Sequence, residues 1–237
     1  LAWLVFLGSL TLQLTRVWGG TGALISHWAE QHPESIRAQS ALSLILADIG
    51  GARQGSARLQ SLLDIFPKDI SLRLQVFNYS CSNNLEVLQP LQQLAAIENP
   101  EIFRSDINVQ IRKMIDNLRL GACTYPTQLE MLNLMDSIDS LRMDSRERTI
   151  FNIYYSELLV HYGLIDDALS KLDHALEVEP SVDISIRQAT LAGSVGRFDQ
   201  ALEILNKAYS ADGQRRFLLP SRREEIDGWR RQIESLL

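Results

Sequence analysis

A spacing of about 34 residues recurs along the chain and constrains its fold more than any other feature. It separates Pro33 from Pro67 and Pro67 from Pro100. In the carboxyl-terminal half, the segments GLIDDALSKLDHALEVEP and GRFDQALEILNKAYSAD align at nearly the same offset, which matches Gly163 with Gly196. Self-similarity at such a period is typical of a solenoid, in which each repeat is one supersecondary unit stacked on the next.

The positions that recur in each period fit a pair of antiparallel helices. Gly163 and Gly196 would allow a tight turn between the two helices. Two alanines that flank a leucine follow each glycine: Ala168, Leu172 and Ala175, then Ala201, Leu205 and Ala208. Because alanine side chains are small, the second helix of each pair can approach the first closely. Pro180 would then end the pair, since proline cannot continue a helix.

The periodicity predicts helices throughout and no sheet, because no segment shows sustained alternation of apolar and polar residues together with turn signals. The predicted helices span residues 1–15, 18–32, 35–49, 53–66, 69–82, 85–98, 103–121, 127–141, 146–162, 165–178, 182–194, 198–210 and 221–236. We interpret 16–220 as one solenoid with a divergent unit at 101–145. Residues 221–237 are interpreted as a capping helix, which Ser221 would open as N-cap with Glu224 as its capping-box partner.

The first fifteen residues, LAWLVFLGSLTLQLT, carry no charged side chain, and Arg16 and Trp18 follow them. A solenoid helix that is half exposed would not be apolar almost all round, as residues 1–7 are. Arginine and tryptophan are residues that anchor a helix at a membrane interface. We therefore interpret residues 1–15 as the end of a transmembrane helix. The alternative is the first buried helix of the solenoid.

The glycine, alanine, leucine and proline pattern is that of the tetratricopeptide repeat, and the chain resembles that family. It also looks like the carboxyl-terminal repeat region of bacterial inner-membrane proteins whose membrane part is similar to lipid-linked-sugar glycosyltransferases. This second resemblance is carried by Arg16, Trp18, Pro33, Ser35, Arg37, Ala38, Leu72, Arg73, Leu74, Cys81, Gly121–Cys123 and Phe217–Pro220. It implies an all-α, right-handed superhelix attached to the inner membrane. It transfers no catalytic residue, because the membrane part is not in this sequence.

Charge and motifs argue against several classes of function. The net charge of −6 disfavours a nucleic-acid partner, because phosphate neutralisation needs a basic surface. The four histidines form no metal-ligand spacing, and two cysteines are too few for a four-cysteine zinc site. No nucleotide-binding or hydrolase motif is present. We therefore expect no cofactor, no metal and no enzymatic activity in this region.

The expected function is the binding of a protein or peptide in the concave groove of the solenoid, which the first helices of successive pairs would line. An alternative is a regulatory or substrate-presenting appendage of a membrane glycosyltransferase. With the repeat frame mapped onto the first helices, the residues expected to face the groove are Arg37, Leu44, Asp48, Leu74, Asn78, Ile153, Glu157 and His161.

The two cysteines, Cys81 and Cys123, each fall near the end of a predicted first helix. Successive first helices of such a solenoid lie side by side and point the same way, so their carboxyl ends are neighbours. A disulfide between Cys81 and Cys123 is therefore possible, and it would persist in a periplasmic location. The alternative is two free thiols, one of them buried as a small apolar side chain.

Overall fold

The computed structural model describes residues 3, 6–9, 11, 15, 19–83, 85, 105–123, 127–212 and 221–235. These residues form helices and the turns between them, and none of them is in a β-strand. The all-α fold class predicted from the repeat is therefore confirmed for this part of the chain. Handedness and the tetratricopeptide arrangement remain predictions.

The helix bounds agree with the predicted ranges to within a few residues. The helices of the described ranges are α1 (Thr21–Gln31), α2 (Ile36–Gly50), α3 (Ala52–Ile65), α4 (Ile70–Ser82), α5 (Ser105–Arg119), α6 (Gln128–Asp139), α7 (Ser145–His161), α8 (Ile165–Val178), α9 (Val182–Ser194), α10 (Phe198–Asp212) and α11 (Arg223–Glu234). The helix predicted at 85–98 lies outside the described residues, apart from Leu85.

The chain divides into two compact units. The first comprises Leu1–Glu101 with Leu120–Glu130, and the second comprises Ile102–Arg119 with Met131–Leu237. Every crossing from one unit to the other falls within residues 101–145, the stretch in which the repeat pattern is weakest. The divergent stretch of the sequence is thus the place where the chain passes between units.

Several helices begin where a side-chain oxygen caps the first turn. Ser35 and Asp69 each accept a hydrogen bond from a backbone N–H three residues later, at the starts of α2 and α4. Asp144 and Glu147 form a complete capping box at the start of α7. The N-cap residue of α11 is Arg222, so the capping box predicted from Ser221 to Glu224 is wrong. The Ser221 hydroxyl donates to Asp212 Oδ2 at 2.8 Å and accepts from the N–H of Arg223 at 3.4 Å.

The second unit contains the helix pairs with the clearest repeat signal. The six residues of the alanine–leucine–alanine pattern in α8 and α10 are all buried, as the spacing predicted. One apolar cluster joins α8, α9, α10 and α11, and it includes Ile226 and Ile233 of the carboxyl-terminal helix. Burial of this single face explains how α11 is held against α9 and α10.

The glycines predicted at the two turns of this unit have positive φ, 75° at Gly163 and 78° at Gly196. The N–H of Leu164 donates to the Leu159 carbonyl, and the N–H of Gly163 donates to that of Val160. These two bonds define a Schellman motif, in which the left-handed residue is usually glycine. The turn at Gly196 has the same pair of bonds, so both repeats end their first helix in one way.

The first unit joins α2 and α3 through a single residue. That residue is Gly51, with φ 88°, and Gly50 is the last residue of α2. Gln39 of α2 is buried and connects three helices: its amide donates to the Ala29 carbonyl, and its oxygen accepts from Arg58. The core between α3 and α4 is formed by Leu59, Leu62, Leu72 and Val76.

Most of the amino-terminal segment lies outside the described residues, including Arg16 and Trp18. Its described residues are helical, and the side chains of Trp3, Phe6 and Leu7 are each more than half exposed. Trp3 and Phe6 form an edge-to-face pair with their ring centroids 5.7 Å apart. In the described part of the chain, no helix combines the length and the apolar character needed to cross a bilayer.

Candidate functional site

Glu157, one of the predicted groove residues, lies between two arginines in the second unit. Its Oε2 is 3.3 Å from Arg119 Nη1, and its Oε1 accepts a hydrogen bond from Arg187 Nη1. We call Arg119, Glu157 and Arg187 the Glu157 triad. The repeat frame predicted the glutamate of this triad as a groove residue but neither of the arginines.

The three residues of the triad come from three different helices. Arg119 ends α5, Glu157 is in the last turns of α7, and Arg187 is in the middle of α9. One carboxylate can reach both arginines only if the three helices present side chains to a common face. The capping box at Asp144 fixes where α7 starts, and α7 packs along α5 and α8. The face is therefore built on helices whose positions are set by core packing.

The other two groove residues predicted on α7 have different environments. Ile153 is partly buried against Leu172, Ala175 and Ile184, so its side chain contributes to the core between helix pairs. His161 is exposed at the end of the helix, with its ring 5.1 Å from the ring of Tyr162. Only Glu157 and His161 of this predicted set therefore offer polar atoms near the surface.

In the first unit, the predicted groove residues of α2 are exposed, whereas those of α4 are buried. Arg37, Leu44 and Asp48 are exposed on α2, at spacings that put them on one face. Leu74 is fully buried and Asn78 is 6% exposed, so neither lines an open groove. The reason is that ten of the thirteen residues of α4 are buried. The helix is enclosed on nearly all sides, so that even polar residues such as Arg73 and Ser80 are buried, and the mixed polar and apolar sequence ISLRLQVFNYSCS did not indicate this.

Cys81 and Cys123 are joined by a disulfide, and their Cα atoms are 4.8 Å apart. Cys81 lies in the last turn of α4, and Cys123 lies four residues after the end of α5. Both belong to the first unit, and Cys81 is buried. The bond thus attaches the 120–130 segment of this unit to the end of its most enclosed helix.

A second charged cluster of the second unit is centred on Tyr155, which is buried in α7. Its hydroxyl donates to Asp136 Oδ1 at 2.6 Å, and Lys171 Nζ lies 4.5 Å from its ring centroid. Lys171 and Arg148 both pair with Asp139. Burial, reinforced by the hydrogen bond to Asp136, raises the pKa of Tyr155 well above its usual value. This cluster connects α6, α7 and α8 and leaves the tyrosine hydroxyl protonated.

A surface cleft of about 320 Å³ lies between the end of α8, the start of α9 and the end of α10. Its walls are mainly apolar, and Lys207 and Asp212 supply polar groups. Lys207 pairs with Glu203, and Asp212 accepts hydrogen bonds from Ser221 and from the N–H of Arg222. Because these groups are already engaged, the cleft lacks the converging polar atoms of a small-molecule site.

Among the described residues, no group of three histidine, cysteine, aspartate or glutamate side chains is arranged to hold a metal ion. Neither arginine of the Glu157 triad follows from the repeat period. Arg187 lies one period after Tyr154, which is not a predicted groove position. Arg119 lies in the divergent stretch, where the repeat gives no signal.

Known protein families and curated proteins add no evidence on the identity of this chain. No family model matches the sequence, and no curated protein shows detectable similarity to it. The tetratricopeptide resemblance therefore rests on the chain's own repeat spacing and on the helix pairs with their buried small residues.

Proposed function

We propose that this chain is a non-catalytic helical-repeat module that binds an extended peptide or a protein segment. The observation that carries the proposal is the Glu157 triad, because it requires the first helices α5, α7 and α9 to share one face. A face built from parallel rows of side chains on successive helices suits a ligand that runs across the helices. His161 and Thr190 add exposed polar side chains to α7 and α9.

The proposal is tested by selection of peptides from a random display library on the purified protein. Selected peptides should bind the wild type reversibly and be recovered intact. Arg187→Glu should weaken their binding about ten-fold or more, because it reverses a charge in the middle of the face.

Lys207→Glu is the matched control, since it makes the same charge reversal on α10, where the side chain is exposed. Its binding should equal that of the wild type. If no peptide can be selected, or if both charge reversals act alike, the proposed function fails.

We also propose that the module is held at a bacterial inner membrane with its repeats in the periplasm. The disulfide supports an oxidising compartment. The exposed Trp3 and Phe6 support contact of the amino-terminal segment with an apolar phase. Membrane fractionation of the natural full-length protein, with thiol labelling before and after reduction, tests both points. Soluble protein with two thiols that react without reduction would contradict them.

A further inference from the structure

The two arginines of the Glu157 triad remain open to a second carboxylate. Their side chains are 44% and 49% exposed, whereas that of Glu157 is 19% exposed. A guanidinium has five N–H donors, and a carboxylate uses two of them in the bidentate geometry. Within the described residues, Glu157 is the carboxylate that pairs with each arginine. Donors on both guanidinium groups are therefore accessible from solvent.

The triad also has a charge opposite to that of the protein as a whole. Two arginines and one glutamate sum to +1, while the chain carries −6. Arg197 with Asp166 is a balanced pair in the same unit, and Arg222 is paired with two acids. The three side chains of the triad therefore carry a net charge of +1 on an acidic molecule.

Asp139 also pairs with two cations, but its surroundings are closed. Arg148 donates to the carbonyls of Asp139 and Leu141, and Lys171 lies over the ring of Tyr155. Both cations are more buried than the arginines of the triad, at 28% and 22% exposure. Their donors are used inside the fold, so this second cluster is not a comparable site.

We propose that the ligand of this face is an acidic peptide segment, and that Glu157 competes with it for Arg119 and Arg187. The inference rests on the proposed function, because it identifies the chemistry of the same binding face. In the free protein, Glu157 neutralises half of the arginine charge. An incoming carboxylate of the ligand binds the exposed sides of the two guanidinium groups and is repelled by the Glu157 carboxylate. Glu157 is thus an internal competitor that lowers the affinity for the ligand and sets the negative charge that a ligand needs in order to bind.

Removal of the Glu157 charge should tighten ligand binding, an effect that a purely structural ion pair would not produce. Glu157→Gln should tighten the binding of an acidic peptide about five-fold, because it releases both arginines and removes a like charge. Arg119→Gln and Arg187→Gln should each weaken it by a similar factor. Arg197→Gln, which removes an arginine from a balanced pair elsewhere in the unit, should leave it unchanged.

The probe is a short fluorescein-labelled peptide of alternating Glu and Ser, and its twin has Gln in place of every Glu. Fluorescence anisotropy with the full chain should show binding of the acidic peptide that weakens as salt is raised. Arg187→Lys keeps the charge but loses the planar fork, and it should weaken binding without affecting the fold. This variant keeps the proposal testable if Glu157→Gln proves unstable.

Equal binding of the two peptides, or no tightening in a folded Glu157→Gln protein, would overturn the proposal. Failure of this proposal can be distinguished from failure of the proposed function. Library peptides that need Arg187 but carry no acids would retain the binding function and exclude acidic ligands. An empty selection would exclude both.

Discussion

The helix pair α2–α3 of the first unit and the helix pair α7–α8 of the second are both joined by a glycine with positive φ, but the joints differ. Gly51 is the only residue between α2 and α3, and its φ and ψ are 88° and 163°. Gly163 is one of three residues between α7 and α8, and its neighbours complete a Schellman motif. The backbone of Gly51 lies in a region open almost only to glycine, whereas the left-handed position of Gly163 is one that Asn can also adopt.

The helices of the pair α2–α3 also pack more closely than those of the pair α7–α8. Gly55 and Ala168 both lie twelve residues before a period-marking proline, at Pro67 and Pro180. A Cβ at Gly55 would be 2.4 Å from the Ala47 Cβ and 2.7 Å from the Tyr79 hydroxyl, which is far inside contact distance. The second unit accommodates a methyl group at this position, and the first does not. The same repeat period thus accommodates two different distances between paired helices, and the closer pair tolerates less change in side-chain size.

The first unit also depends on a covalent link. Its disulfide encloses a separation of 42 residues, whereas the described helices of the second unit are held by the shared apolar cluster and ion pairs. This contrast predicts that changes of similar size will harm the first unit more than the second.

The largest expected effect comes from Cys81→Ser with Cys123→Ser. The chain-entropy model gives a loss of up to about 4 kcal/mol in the free energy of unfolding for a loop of this length. Hydrogen exchange followed by mass spectrometry should show lower protection in α2–α4, with α7–α10 unchanged. Equal loss of protection in both units would show that they unfold together and would remove the contrast.

Replacement of the two joint glycines should have unequal effects. Gly51→Ala should cost about 2–3 kcal/mol, since alanine is strained at these dihedral angles. Gly163→Ala should cost about 1 kcal/mol, and Gly163→Asn less. No atom lies within 4 Å of a Cβ at either position, so urea unfolding would measure the backbone cost alone. A cost at Gly163 as large as at Gly51 would contradict the distinction between the joints.

Gly55→Ala should destabilise by about 1–2 kcal/mol, because α3 must move away from Ala47 and Tyr79. The matched control is Gly228→Ala in α11, where an added Cβ meets no atom within 4 Å. That change should stabilise by about 0.5–1 kcal/mol, through helix propensity alone. Thermal unfolding of both variants measures the difference. Stabilisation by both would mean that the close approach at Gly55 relaxes without cost.

These contrasts also show how far the sequence could predict the structure. The period and the small buried residues identified the helix pairs, because Gly163 and Ala168 follow rules that are local to one helix and its partner. The predicted ranges 35–49 and 53–66 left three residues between these helices, whereas the joint is the single residue Gly51, which depends on how the two helices meet. The burial of Leu74 was missed because a fixed repeat frame was applied to α4, whose mixture of apolar and polar residues does not reveal that the helix is enclosed.

The candidate site was predictable only in part for a similar reason. Glu157 was selected because its position in the repeat frame puts it on a surface of the first helix. Its arginine partners come from other helices, and Arg119 lies in the stretch without a repeat signal. Partner choice depends on the stacking of three helices, which spacing within one repeat does not describe.

The smallest expected effect concerns the pH dependence of the second unit. Burial raises the pKa of Tyr155 above its unfolded value of about 10, so the folded protein keeps a proton that the unfolded chain loses above that pH. The stability contributed by this proton is complete below about pH 10 and is lost as the pH rises further. Tyr155→Phe should therefore flatten the decline in stability above about pH 10, as measured by urea unfolding with hydrogen exchange of α7 and α8.

Tyr79 of the first unit supplies the control for that measurement. Burial, and to a lesser extent the nearby charge of Asp48, raises the pKa of Tyr79. The Tyr79 hydroxyl lies close to Gly55, whereas the Tyr155 hydroxyl donates a hydrogen bond directly to the carboxylate of Asp136. Tyr79→Phe should flatten the decline in α2–α4 only, and by less than Tyr155→Phe does in α7–α8. If either variant changed the pH dependence of both units equally, the two units would unfold in a single cooperative transition. The expected difference between the units would then be wrong.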